Sequence, residues 1–171
     1  VTLKPADAEK PYDGSALTAS DFVVAAGSFA EGEGVESCTY AGSQTLVGQS
    51  ASSIEHANAL AGTDLENNYN VKYEEGKLTV TDRAVKYAIE MQAKSDKAPY
   101  DGREHSVSGF ESDVFEFDGV KYTVTGLAAS AAGTGAGTYK TSVSGTARVA
   151  DPEGNDVTAQ FDVTAAEGEL V

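Results

Sequence analysis

Asn68-Tyr69-Asn70-Val71-Lys72-Tyr73-Glu74-Glu75-Gly76-Lys77-Leu78, continued by Thr79-Val80-Thr81, is the stretch that sets the fold class. Polar and apolar residues alternate through Tyr69–Tyr73 and again through Lys77–Thr81. Period-two alternation with β-branched and aromatic side chains is the pattern of a strand with one face on a core and one in water. The short Glu74-Glu75-Gly76 between the two runs predicts a tight hairpin. Gln160 to Leu170 repeats the stretch in order, with Glu167-Gly168 at the place of the turn.

Two further blocks recur in the same order. Lys10-Pro11-Tyr12-Asp13-Gly14 is echoed by Ala98-Pro99-Tyr100-Asp101-Gly102, and Val35–Gly42 by Val120–Gly126. The offsets of the three blocks are 88, about 84 and 92 residues, the drift expected of a duplicated unit whose loops absorb insertions. Val1–Ala6 matches Ile89–Lys94 ahead of each Tyr-Asp-Gly. The chain therefore reads as two tandem all-β modules, residues 1–82 and 83–171, arranged end to end. An immunoglobulin-like sandwich is the favoured topology and a β-grasp-like module the alternative.

Each Tyr-Asp-Gly, at Tyr12, Asp13 and Gly14 and at Tyr100, Asp101 and Gly102, is a turn signal. Proline pre-sets its own backbone angle, Asp bonds nearby backbone, and Gly accepts positive φ. The tyrosine rings are expected on the core edge with their hydroxyls outward. Helical signals are weak. Ser52–Leu60 could supply a turn or two, and the glycines of Ala128–Gly137 argue against a helix there. Short strands with long loops are expected.

The 171 residues carry 27 acidic against 12 basic side chains, a net charge of −15. Side chains up to Asp82 sum to −9 and those after it to −6, so both halves are acidic. Such a field repels phosphate backbones and anionic lipid, which speaks against nucleic acid and direct membrane insertion. No apolar run approaches the length of a membrane-spanning helix. The single cysteine, Cys38, rules out an intramolecular disulfide; it reads as a small hydrophobe beside a strand. His56 and His105 sit in polar, loop-like stretches. The strand-like pattern at both ends, without leader or sorting tail, reads as a segment of a longer protein.

The repeated Tyr-Asp-Gly, the Tyr-x-Val-x-Gly strand and the Asn-Tyr-Asn-Val-x-Tyr-x-x-Gly-x-Leu-Thr-Val stretch together resemble the YDG/MBG-type repeats of bacterial extracellular proteins. The likeness spans nearly the whole chain. The second copy departs from it, with Phe161 and Asp162 where the first has Tyr69 and Asn70. The resemblance implies a bacterial cell-surface location and a non-catalytic stalk or spacer that projects a distal domain and touches neighbouring repeats. The alternative is an adhesive module for a host glycan or a matrix or mucin protein. It implies no catalytic residue and no cofactor.

Asp151, Glu153 and Asn155 space oxygens like the start of a calcium loop, but Asp156 stands at the required glycine and Asp162 at the bidentate Glu, so a hydrated β-turn is the better reading. Lys4 and Asn70 are in chain order for an isopeptide bond, but Gln92 replaces the lysine in the second copy. Gly133–Gly137 lacks the lysine and helix start of a phosphate loop and reads as a flexible connection. An adhesive surface would draw on Tyr12, Tyr100, Phe110, Phe115 and Phe117, of which the Phe110–Phe117 group reads as core.

Overall fold

The computed structural model describes residues 1–171: fifteen β-strands, one four-residue α-helix and one 3₁₀ turn. The chain is all-β and divides into two compact units, Val1–Arg83 and Ala84–Val171.

In the first unit, β1 (Thr2–Pro5) and β2 (Ala8–Pro11) are one path broken at Ala6-Asp7. They are followed by β3 (Phe22–Ala26), β4 (Val35–Ala41), β5 (Gly48–Ala59), α1 (Leu65–Asn68), β6 (Lys72–Tyr73) and β7 (Gly76–Thr81). One sheet has the order β3-β1-β6, the other β2-β7-β5-β4. The path thus passes between the sheets five times, two of them at short breaks, between β1 and β2 and between β6 and β7. Leu3 and Leu78, both fully buried, lie on the inward faces of these crossing strands. Burying each contributes about 1.5–3 kcal/mol.

The second unit runs β8 (Tyr87–Gln92), β9 (His105–Ser108), β10 (Val114–Phe117), β11 (Val120–Gly133), β12 (Tyr139–Lys140), β13 (Ser142–Ala150), the 3₁₀ turn Thr158–Gln160, β14 (Phe161–Ala166) and β15 (Glu169–Leu170). β8 pairs in parallel with β14 and β12 antiparallel with β15, while β11 takes β10, β9 and β13. Tyr87, Phe117, Tyr122 and Phe161 pack as an aromatic cluster with ring centroids 4.7–6.4 Å apart.

Pairing by pairing, the two units share one register. Leu3 faces Tyr73 and Met91 faces Ala165. Ala8 faces Leu78 and Asp96 faces Leu170. Pro5 faces Phe22 and Ala93 faces Phe110. Leu17 faces Gln44 and His105 faces Gly133. Ser50 faces Leu78 and Tyr139 faces Leu170. The shift is 88 residues as far as His105, 89 in the middle strands and 92 at the last strand.

This register corrects three expectations. Ala41 with Ser53 corresponds to Ser130 with Ser142, so Val35–Gly42 matches Val124–Ala131 and not Val120–Gly126. Glu74-Glu75-Gly76 is not a hairpin: β6 pairs with β1 while β7 pairs with β2 and β5. Glu167-Gly168 likewise carries the chain from the β8 pairing to the β12 pairing. The glycine is there for close approach. A Cβ on Gly76 would lie 2.7 Å from the Pro5 carbonyl oxygen, and one on Gly168 2.2 Å from that of Lys94. Finally, Ser52–Leu60 is not helical; it lies almost wholly in the twelve-residue strand β5. Ala128–Gly133 is the end of the fourteen-residue β11. The one helix, α1, is four residues long, and its Leu65 is partly buried against Leu3, Ile54 and Ala57.

Candidate functional site

The two Tyr-Asp-Gly turns are built alike at the backbone. Asp13 Oδ1 accepts from the Ser15 amide at 2.9 Å, and Asp101 Oδ1 accepts from the Arg103 amide at 2.9 Å. Gly14 and Gly102 follow with φ of 80° and 74°, angles that a residue with a Cβ adopts at a cost. Each carboxylate has a second partner: Lys10 Nζ at 2.7 Å on Asp13 and His105 Nε2 at 2.9 Å on Asp101. Burial pushes the Asp13 carboxyl up, but Lys10 and the two Ser15 donors outweigh it and hold it below its ordinary value. The Arg103 amide, then His105, holds Asp101 low.

The tyrosines of these turns part company. Tyr12 is 1% exposed and even its hydroxyl lies out of solvent, whereas Tyr100 is 73% exposed. Neither sits at the core edge with its hydroxyl outward, as expected. Tyr100 stands at a cleft of about 280 Å³ lined by Lys97–Tyr100, His105, Gly133–Tyr139, Leu170 and Val171. Tyr139 lies flat over Gly133, where a Cβ would meet its ring at 2.3 Å, and its hydroxyl donates to the Gly135 carbonyl at 3.1 Å. The cleft joins the apolar surface of Leu170 and Tyr139, which pack with Val107 and Ala131 in the core beneath, to the hydrogen-bonding groups of His105 and Lys97. Sequence reasoning named Tyr100 but missed Tyr139 and His105. The usable signal was a tyrosine two residues after the glycine-rich Gly133–Gly137, since bare glycine backbone invites a ring to cover it.

The remaining candidates fall elsewhere. Asp151, Glu153 and Asn155 do share one turn, but Asp151 spends its oxygens on N–H donors: the Glu153 amide at 3.1 Å, the Asn155 amide at 2.8 Å and Asn155 Nδ2 at 2.9 Å. No group of three or more His, Cys, Asp or Glu side chains is placed to hold a metal ion. Lys4 and Asn70 are not brought together. Thr2 faces Lys72 in the parallel pair, so Lys4 lies four positions along the strand from Asn70, roughly 13 Å at the usual rise. Lys4 Nζ instead meets Asp7 at 3.0 Å.

Cys38 packs against the cluster of Leu3, Ile54 and Ala57, and burial pushes its thiol up. His56 and His105 lie on strands β5 and β9, not in loops. Phe117 belongs to the aromatic cluster, Phe115 is half-buried on β10, and Phe110 bridges Ala93. Gly133–Gly137 ends β11 and forms the cleft rim.

Comparison with protein-family models, with curated proteins and with solved structures finds no match.

Proposed function

We propose that this chain is a non-catalytic, tension-bearing repeat segment of a bacterial cell-surface protein of the YDG/MBG kind, serving as a stalk or spacer that carries a distal domain away from the cell. One observation supports it above the others: in each unit the first strand path pairs in parallel with the last, β1 with β6 and β2 with β7, then β8 with β14. Parallel strands at the two ends of a module leave it in opposite directions. A pull on the ends loads their hydrogen bonds together, in shear, and not one after another. The split of the first path between two sheets also favours an immunoglobulin-like sandwich over a grasp-like module. The acidic surface of both halves supports a soluble, mutually repelling array outside the cell.

Single-molecule force spectroscopy tests the reading. Pulled through its ends, the chain should unfold in two discrete events, the first unit releasing roughly 280 Å of contour from its 83 residues. The peak force should exceed that needed to open the β10–β11 pair through cysteines placed at Val114 and Thr123, in a Cys38→Ser background. Those residues face each other, and the hairpin between them opens bond by bond. Featureless extension, or end-to-end forces no higher than the hairpin's, would count against a role under tension.

A further inference from the structure

We infer that the outer edge of β3 is a docking edge for a partner protein, which adds there an extended strand, apolar at alternate positions and basic at both ends. The inference does not rest on the spacer reading.

β3 (Phe22–Ala26) lies at the end of its sheet, with β1 on one side only. Its hydrogen bonding follows from that of β1. The Glu74 amide takes the Leu3 carbonyl at 2.9 Å, so the Leu3 backbone faces β6 and that of Lys4 faces Val23. Backbone direction alternates along a strand. Phe22 and Val24 therefore turn their amides and carbonyls away from β1. Asp21 Oδ1 accepts the Phe22 amide at 2.7 Å. The Val24 amide and the Phe22 and Val24 carbonyls are left facing outward, in place for one more strand.

The side chains there are apolar on both faces. Val23 and Val24 point to opposite sides of the sheet, yet they are 47% and 43% exposed. No charge interrupts Phe22–Ala30. Proteins ordinarily blunt such an edge with charge, proline or a cover. The second unit does so at the matching place. The Glu111 amide donates to the Gln92 carbonyl at 2.9 Å, as Val23 lies on Lys4, and the residues matching Val23, Val24 and Ala25 are Glu111, Ser112 and Asp113. One edge is guarded and its counterpart is left open.

Charge selects the occupant. Asp21 precedes the uncharged run, Glu31 and Glu33 follow it, and the first half of the chain sums to −9. A second copy of this chain would bring the same acids and another net charge of −15. A strand with lysine or arginine at its ends pairs with this edge by backbone bonds, while its charges meet acids of opposite sign.

The test adds three peptides to the 171-residue chain: Lys-Thr-Val-Thr-Val-Thr-Lys, the same with proline at its centre, and Glu-Thr-Val-Thr-Val-Thr-Glu. The lysine peptide should slow hydrogen exchange at the Val24 amide at least tenfold. By fluorescence anisotropy it should bind at least tenfold more tightly than either of the others. Val24→Pro removes the outward amide without changing charge, and edge strands tolerate proline. It should weaken the lysine peptide at least tenfold while exchange at Leu78 and Val80 stays as in the parent. Equal binding of the three peptides, or an unprotected Val24 amide in the parent chain, overturns the docking edge whether or not Val24→Pro folds. Protection of the Val24 amide that rises with protein concentration alone, with dimers in sedimentation, overturns the choice of partner in favour of a second copy.

Discussion

Tyr12 and Tyr100 hold the same position in two units of one register, each beside an Asp that accepts the amide two residues on and each ahead of a glycine with positive φ. One ring is sealed in a core and the other stands in water. The turn is therefore autonomous, made by a few neighbouring residues from their own bonds. The fate of its tyrosine is not. It depends on a strand some 70 residues away in sequence, whose Thr81 carbonyl and Arg83 side chain bond the Tyr12 backbone.

The largest difference between the units follows. Tyr12→Ala should cost the first unit about 3–5 kcal/mol, the range for emptying a large aromatic site. Tyr100→Ala should move the second by no more than about 0.5 kcal/mol, as an exposed substitution does. Hydrogen exchange read separately over 1–83 and 84–171 measures both in the intact chain, and equal losses would break the contrast.

Next come the crossing glycines. Gly76→Ala and Gly168→Ala each force a Cβ against backbone oxygen, so each should destabilise its own unit by about 1–3 kcal/mol. Gly168 should be the worse, since its nearest oxygen would be at 2.2 Å against 2.7 Å for Gly76. If either site were a plain hairpin turn with room for a side chain, alanine would be tolerated there.

That distinction marks what could be read from the sequence. Alternation in Tyr69–Thr81 specifies strands because it reports only which side chains face the core, and the Asx turns follow from residues two positions apart. Glu74-Glu75-Gly76 misleads because a short connection looks the same whether its strands pair with each other or with separate partners. Here the partners are β1 and β2, at the far end of the unit. Ser52–Leu60 misleads for a related reason. Its Ala, Glu and Leu residues suit a helix, but β5 is held between β7 and β4, and the alternating burial of Ser52 and Ile54 is dictated by those neighbours. The cleft was half legible: Tyr100 stands out in a motif, whereas Tyr139 and His105 reach it through strand register.

A smaller effect separates Ser52 from Thr141, the residues beside the two crossings. Thr141 Oγ1 accepts from the buried Gly168 amide at 2.7 Å, while Ser52 Oγ is buried without a hydrogen-bond partner in the protein. Thr141→Val strands that amide and should cost about 1–3 kcal/mol. Ser52→Ala removes an unsatisfied oxygen and should be neutral or stabilising. Denaturant midpoints for the two variants decide it, and a costly Ser52→Ala would mean that this hydroxyl does bond in solution.

The finest contrast lies at the corner between the first two strands. The Lys77 amide donates to Asp7 Oδ1 at 2.8 Å, and at the matching place the Glu169 amide donates to Ser95 Oγ at 3.0 Å. One corner is closed by a charge, the other by a neutral hydroxyl. Lys4, then the Lys77 amide, holds the Asp7 carboxyl below its ordinary value. A carboxyl lowered on folding adds stability that is fully present above its unfolded pKa, about 3.9, and disappears as pH falls through the folded value. Asp13 and Asp64 add to this in the first unit, and Asp101 and Asp156 act in the second. Exchange protection over 1–83 should therefore hold from pH 7 to 5 and decline below 4. Asp7→Ser, which copies the corner of the second unit, should make that decline shallower and leave the decline over 84–171 as it was. An unchanged slope over 1–83 would show that the charge on Asp7 adds nothing that the serine hydroxyl does not, and the two corners would then be equivalent in acid as well as in register.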